Sequence, residues 1–230
     1  MGLSNPNSFR RQVAGAAMIV MPSMLVLAEL LHARFQTEPA KQLAAVADNT
    51  GRWYAAHALI LLALVLAVPA FFGLVHLVGR GRAALGHLSL VAFVAGLVAL
   101  TAIVGMELAL WQMAQPGANR DEMVALAERL NESAGIVPVF LVALLFPLAW
   151  LLVGIGLYRA RAVPAWTAVL IALSQPIGFV GELSGGPKPL AVLAQIVFAL
   201  GLIPVGMRVL RQSDADWEPD RLSVPMPATV

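Results

Sequence analysis

The sequence predicts an all-α, polytopic membrane protein with six transmembrane helices. Of its 230 residues, 60% are hydrophobic and 12% are charged, whereas a soluble domain carries about 25% charged residues. The mean hydropathy is +0.81. Six apolar stretches are long enough to cross a bilayer, which takes about 20 residues each. They lie near 12–33, 54–78, 85–113, 134–158, 163–182 and 188–210.

The first stretch is interpreted as a retained helix. It follows Arg10 and Arg11, as a signal peptide would, but it is longer than a signal-peptide core and lacks a small-residue cleavage site. Residues 1–211 form one predicted transmembrane domain, because the connections are too short for a soluble one. Residues 212–230 are polar and contain proline, so we expect a disordered cytoplasmic tail.

The distribution of Lys and Arg predicts the orientation. Nine fall on the side of the two chain ends, including an Arg-x-Arg in each short turn, and six fall on the other side. Because cytoplasmic loops are enriched in Lys and Arg, both termini are predicted to be cytoplasmic, in a bacterial inner membrane. The two longer outer connections, Pro39–Asp48 and Asn119–Asn131, are predicted to be short amphipathic helices on the membrane surface.

An internal repeat of a helix pair is also predicted. Glu29 and Glu107 are 78 positions apart, and so are Pro69 and Pro147, which makes the Glu-to-Pro interval 40 in both copies. Helices 5 and 6 resemble a third, shortened copy. A proline removes a backbone donor and kinks a helix, so we expect kinks at similar depths in helices 2, 4 and 6.

Several kinds of site are disfavoured by composition and spacing. Without cysteine there are no disulfides, iron–sulfur clusters or thiolate zinc sites. Two histidines lie on each side of the membrane, but His57 and His76 are 19 positions apart, about 28 Å along a helix. Haems would therefore lie at both membrane edges, which disfavours a haem protein. We therefore expect no metal and no cofactor. We also expect no nucleic-acid partner, since the sequence has no basic patch with interleaved aromatics.

The predicted catalytic residues are Glu107, Glu29 and His57. A carboxylate within a membrane segment is costly and is usually functional, and desolvation favours a protonated carboxyl that can act as a general acid. Glu107 has a longer apolar flank on its outer side than Glu29 or Glu182. His32 shares a helix face with Glu29, three residues earlier. The alternative is that these side chains reach the membrane interface and serve no chemistry.

Six further residues are predicted to bind substrate. Aromatic side chains near the outer ends of the helices can stabilise a carbocation, and polar groups in apolar helices can orient a ligand. These residues are Trp53, Tyr54, Trp111, Asn131, Gln175 and Glu182. An interfacial aromatic belt and hydrogen bonds between helices are the alternative explanations.

The segments Gly-Arg-Trp-Tyr-Ala-Ala-His before helix 2 and Leu-Asn-Glu-Ser-Ala-Gly before helix 4 suggest a relationship. Through them, and in overall layout, the chain resembles the small, uncharacterised six-helix membrane proteins of high-GC bacteria. The resemblance covers most of the chain. It implies a membrane fold, no particular activity and no functional residues.

Three classes of function follow. The first is a membrane-embedded acid–base enzyme, of the isomerase or cyclase type, acting on an apolar, lipid-like or prenyl substrate in an outward-facing, carboxylate-lined pocket. The second is a small proton- or cation-coupled transporter, and the third is a non-catalytic scaffold or sensor. The polar groups lie on one side of the membrane, which favours a dead-end pocket over a through-pathway. The expected partners are membrane lipids and an apolar small molecule.

Overall fold

The computed structural model describes residues 6–34, 36–183 and 188–217, and this part of the chain is helical with no strand. The helices are α1 (Pro6–Leu31), α2 (Pro39–Ala47), α3 (Thr50–Val78), α4 (Ala83–Met113), α5 (Arg120–Glu132), α6 (Ile136–Ala143), α7 (Leu145–Ala160), α8 (Ala165–Leu183), α9 (Lys188–Arg211) and α10 (Asp214–Trp217). A short 3-10 turn, Arg80–Arg82, joins α3 to α4. The all-α prediction is confirmed.

Five helical segments in the described ranges are long and apolar enough to cross a membrane: α1, α3, α4, the α6–α7 pair and α9. The fifth predicted span, 163–182, is a shorter helix, α8, which is apolar over Ala165–Gly181. Many large apolar side chains on the outer faces of these helices are exposed, among them Val65, Val91 and Val98 at about two-thirds exposure. An apolar surface of this extent fits a multi-pass membrane protein.

The long helices form a closed ring. Each packs against the next in chain order, from α1 to α3, α4, α7, α8 and α9, and α9 packs against α1 to complete the circuit. The ring is filled by small side chains and by an aromatic cluster of Phe71, Phe93, Trp150 and Phe198. The cluster joins α3, α4, α7 and α9 through ring contacts.

Glycine allows two pairs of helices to approach closely. A Cβ on Gly96 of α4 would lie 2.2 Å from the backbone nitrogen of Phe146 in α7, and one on Gly206 of α9 would lie 2.7 Å from the backbone oxygen of Gly15 in α1. Backbone cannot move aside as a flexible side chain can, so these contacts require a residue without a side chain.

The prolines act differently from one another. Pro69 and Pro204 lie within uninterrupted helices, α3 and α9. The fourth predicted span is instead interrupted at Leu144, between α6 and α7. The break precedes Pro147, which has no N–H to donate to the carbonyl of Ala143 and whose ring crowds that carbonyl.

The start of the expected disordered tail is folded. Residues 214–217 form α10, and Trp217 is 5% exposed. Its ring stacks on His76 with centroids 4.3 Å apart, and Nε of Arg11 donates to Oδ1 of Asp214 at 3.0 Å. Stacking and the ion pair together attach this segment to the ends of α1 and α3. Residues 218–230 lie outside the described ranges.

Candidate functional site

The candidate site lies at the end of the bundle where α1 ends, α3 begins and α4 ends. The side chain of Arg52, at the start of α3, donates to the backbone oxygens of Leu30 and Leu31. These are among the last carbonyls of α1, which no residue of the helix itself can satisfy. The cap attaches the end of α1 to the start of α3 and thereby places His32, which directly follows α1, beside the first turns of α3.

His57 and Glu107 form the centre of the site. Nε2 of His57 is 3.0 Å from Oε2 of Glu107. The His57 side chain is fully buried and that of Glu107 is 24% exposed. Two of the three predicted catalytic residues are therefore in direct contact, and solvent or lipid can reach the pair from the Glu107 side.

The hydrogen bonds of His57 define its protonation. Nδ1 lies 2.7 Å from the backbone oxygen of Trp53. A carbonyl oxygen only accepts, so Nδ1 carries a hydrogen and donates it. Nε2 and Oε2 would repel each other if both faced with lone pairs, so one proton lies between them, on the imidazole or on the carboxyl. The pair thus holds one shared proton.

Trp53 positions both members of this pair. Its backbone oxygen accepts from His57, and its indole Nε1 donates to the backbone oxygen of Glu107 at 2.9 Å. Trp53 is 2% exposed, and its ring lies 4.4 Å from the His57 ring, centroid to centroid. Residues four apart share a helix face, so Trp53 and His57 both point from α3 toward α4. Trp53 is thus part of the scaffold of the site, and its predicted role in substrate binding stays a prediction.

His32 is the third polar ring at this centre. It is buried, and its ring centroid lies 4.9 Å from those of both His57 and Trp53. Burial lowers the pKa of His32, while the nearby Glu107 carboxylate partly opposes this effect. One nitrogen of each histidine and one carboxylate oxygen of Glu107 all lie within 4.8 Å of one another. The three residues come from the end of α1, from α3 and from α4.

Glu29 has a different partner. Its Oε1 accepts from Nζ of Lys188, the first residue of α9, and the two side chains are 12% and 27% exposed. The Glu29 carboxylate also acts to raise the pKa of His32, which lies one turn further along the chain, against the effect of burial. The predicted catalytic glutamates therefore occupy two neighbouring pairs, with His32 near both. No role is predicted for Lys188 from the sequence, although it is the basic residue that begins the last apolar stretch.

A cavity of about 140 Å³ lies between the long helices next to Glu29. Its walls are mostly apolar and include Phe146, Pro147 and Trp150 of α7. Gln175 of α8 also lines it and donates through Nε2 to Oε1 of Gln195, of α9, at 3.2 Å. This volume is close to that of a dry protein cavity that binds benzene, about 150 Å³. The cavity suits a small apolar group, and the predicted role of Gln175 in ligand binding stays a prediction.

Four predicted residues remain: Tyr54, Trp111, Asn131 and Glu182. Tyr54 is half exposed and contacts Trp111, with ring centroids 5.0 Å apart, as expected for an aromatic pair at the membrane interface. Asn131 is exposed near the end of α5. The backbone of Glu182 belongs to α8, but its side chain lies outside the described part of the structure.

Comparison of the chain with family profiles, with curated proteins and with solved structures finds no match. The chemistry of the site therefore rests on its geometry. The arrangement offers two imidazoles and a carboxylate in a largely buried centre, where they can hold and exchange a proton or bind a cation. A salt bridge and an apolar cavity lie on the adjacent side.

Proposed function

We propose that the protein is a membrane-embedded enzyme that performs acid–base chemistry on an apolar, lipid-like molecule, with His57 and Glu107 as the reactive pair. The observation that carries this proposal is the 3.0 Å contact between Nε2 of the fully buried His57 and Oε2 of the part-buried Glu107. A shared proton held between two well-positioned groups is the arrangement that general acid–base catalysis uses.

Isomerisation or cyclisation suits such a pair because neither reaction needs a co-reactant. A proton is added to one carbon of the substrate and another proton is removed from a second carbon, so atoms and charges balance. Glu107, the more exposed partner, is the group that meets the substrate, and the buried His57 accepts or returns the proton behind it. The cavity beside Glu29 takes an apolar part of the substrate.

On this proposal six helices cross a bacterial inner membrane, with both termini in the cytoplasm. The reactive pair then lies near the outer face, below the short helices α2 and α5. The repeat of a helix pair also belongs to this proposal, since it would place Glu29 and Glu107 at corresponding depths. The distribution of Lys and Arg supports the orientation.

The test uses deuterium, because the substrate need not be known. Purified protein in detergent is incubated in D₂O with a total lipid extract, and the lipids are compared by mass spectrometry. The shared proton exchanges with solvent, so each turnover leaves the product heavier by about one mass unit. The wild type is expected to label at least one lipid, and Glu107→Gln to label none.

Glu128→Gln is the matched control, because Glu128 is an exposed carboxylate on α5. It should label the same lipid as the wild type. Equal melting temperatures for the two variants would show that the loss in Glu107→Gln is not unfolding. A transporter or a scaffold would leave every lipid unlabelled, and that result would overturn the proposal.

A further inference from the structure

We infer that His32, His57 and Glu107 form a binding site for a divalent cation of the zinc type. Their three ligand atoms lie within 4.8 Å of one another. In a tetrahedral zinc site with bonds of about 2.0–2.1 Å, ligand atoms are about 3.3 Å apart. The His57–Glu107 contact of 3.0 Å is already near that spacing, so only His32 has to move closer, by a change within the reach of a side-chain rotation.

The ligand set has the chemistry of a catalytic site. Two imidazoles and one carboxylate make three protein ligands, which leaves a fourth tetrahedral position for water or substrate. Imidazole ligands suit zinc and its neighbours among the transition metals, whereas magnesium and calcium prefer oxygen alone. Thiolate is absent from the whole sequence, so the site offers only nitrogen and oxygen.

The surroundings of His57 orient it as a metal ligand. A ligating histidine usually donates its other ring N–H to a carbonyl or a carboxylate, which fixes the tautomer. Nδ1 of His57 donates to the backbone oxygen of Trp53 at 2.7 Å, which leaves Nε2 as the nitrogen that faces Glu107. The indole of Trp53 also holds the backbone at Glu107. The ligands are therefore oriented by bonds that do not involve a cation.

A cation would occupy the position of the shared proton. The two atoms that now compete for one proton would both become ligands, so the repulsion between their lone pairs would be relieved. The ion pair of Glu29 with Lys188 lies next to the site and is neutral as a whole. One negative ligand and a divalent cation leave a single positive charge, which favours ionisation of a water molecule in the fourth position. This last point rests on the proposed function: with the cation bound, the water would take the acid–base role that the His57–Glu107 pair has without it.

The experiment measures metal directly in the full chain. Protein carrying a purification tag without histidine is loaded with Zn²⁺ in detergent, dialysed, and analysed by elemental mass spectrometry. The wild type is expected to retain about one ion per chain, as a site with three protein ligands does. His57→Gln and Glu107→Gln should each retain almost none, whereas His87→Gln, which alters an exposed histidine of α4, should retain as much as the wild type.

Cobalt provides a second measurement that does not depend on the variants being stable. Co²⁺ bound to the wild type should give the intense visible absorption of a tetrahedral ion, and Zn²⁺ should displace it. A wild type that retains no ion and shows no such band would overturn the inference. Equal ion content in the wild type and His57→Gln would do the same, since the ion would then be adventitious.

The two proposals fail in different ways. Protein can be stripped of metal with a chelator and then tested for deuterium labelling. If it still labels a lipid, the acid–base function stands and the cation is not required for it. Tight binding of Zn²⁺ without any labelled lipid would keep the metal site and overturn the proposed reaction.

Discussion

Lys188 and Glu29 are 159 positions apart in the sequence and form an ion pair between the start of α9 and the last turns of α1. The pair connects the first and last helices of the ring at the end of the bundle that holds the candidate site. Both side chains are largely buried, at 27% and 12% exposure. A buried charge whose partner is removed is left without compensation, which makes this contact suitable for a double-mutant cycle.

Lys188→Met and Glu29→Gln should each destabilise the fold by about 1–3 kcal/mol, because each leaves a poorly solvated polar group unpaired. The double variant should lose less than the sum of the two. Thermal unfolding in detergent measures all three. The control pair is Lys41 with Glu38, in which both side chains are exposed, so solvent screens it and it should contribute less than the buried pair. Additive losses at Glu29 and Lys188 would show that the ion pair contributes nothing.

Gly96→Ala should disrupt the packing of α4 against α7. The added Cβ would lie 2.2 Å from the backbone nitrogen of Phe146, so the two helices must separate. Overpacking of this kind typically costs about 1–3 kcal/mol, occasionally more. We expect a lower melting temperature and a lower yield of protein extracted in detergent.

Gly105→Ala is the control on the same helix, because nothing lies within 4 Å of the position where its Cβ would be. Alanine favours a helix over glycine by up to about 1 kcal/mol, so this variant should be as stable as the wild type or more stable. Equal melting temperatures for Gly96→Ala and Gly105→Ala would show that α4 and α7 do not make this close contact.

Trp217→Ala should release α10 from the end of the bundle. The substitution removes the stacking of the indole on His76. The hydrogen bond between Nε2 of His76 and the backbone oxygen of residue 217 is then no longer supported by that stacking. We expect amide hydrogen exchange in 212–217 to rise toward the rate of an unfolded chain, while α9 stays protected. Trp166→Ala, at an exposed tryptophan, should leave this exchange unchanged. Rapid exchange of the segment in the wild type would contradict the docking.

Single cysteines test the proposed orientation without removal of native ones, since the sequence contains none. Ala47→Cys in α2 and Ala125→Cys in α5 should react with an impermeant reagent added to intact cells. Ala84→Cys, at the turn between α3 and α4, should react only after the cells are opened. All three positions are exposed in the structure, so a difference in labelling reports the side of the membrane. The reverse pattern would invert the proposed topology.

Local features of the sequence predict much of the fold. The length and apolarity of each stretch predict helices in the right places, because a chain in lipid must satisfy its backbone hydrogen bonds within each segment. The short helices α2 and α5 also lie close to the predicted ranges. Glu107 and His57 stand out for the same kind of reason, since polar residues in apolar surroundings are conspicuous before any contact is known.

The sequence by itself thus determined an all-helical chain, the places of its long apolar helices and which polar groups are costly to bury, all of which depend on residues close in the chain. Only the tertiary structure decided the partners. Glu29 meets Lys188 because α9 closes the ring against α1, and Glu107 meets His57 because Trp53 joins α3 to α4. Trp217 is buried because its side chain packs against the end of the helix bundle, where it stacks on His76. Such contacts follow from the packing of helices distant in sequence, which the apolarity of the individual segments does not specify.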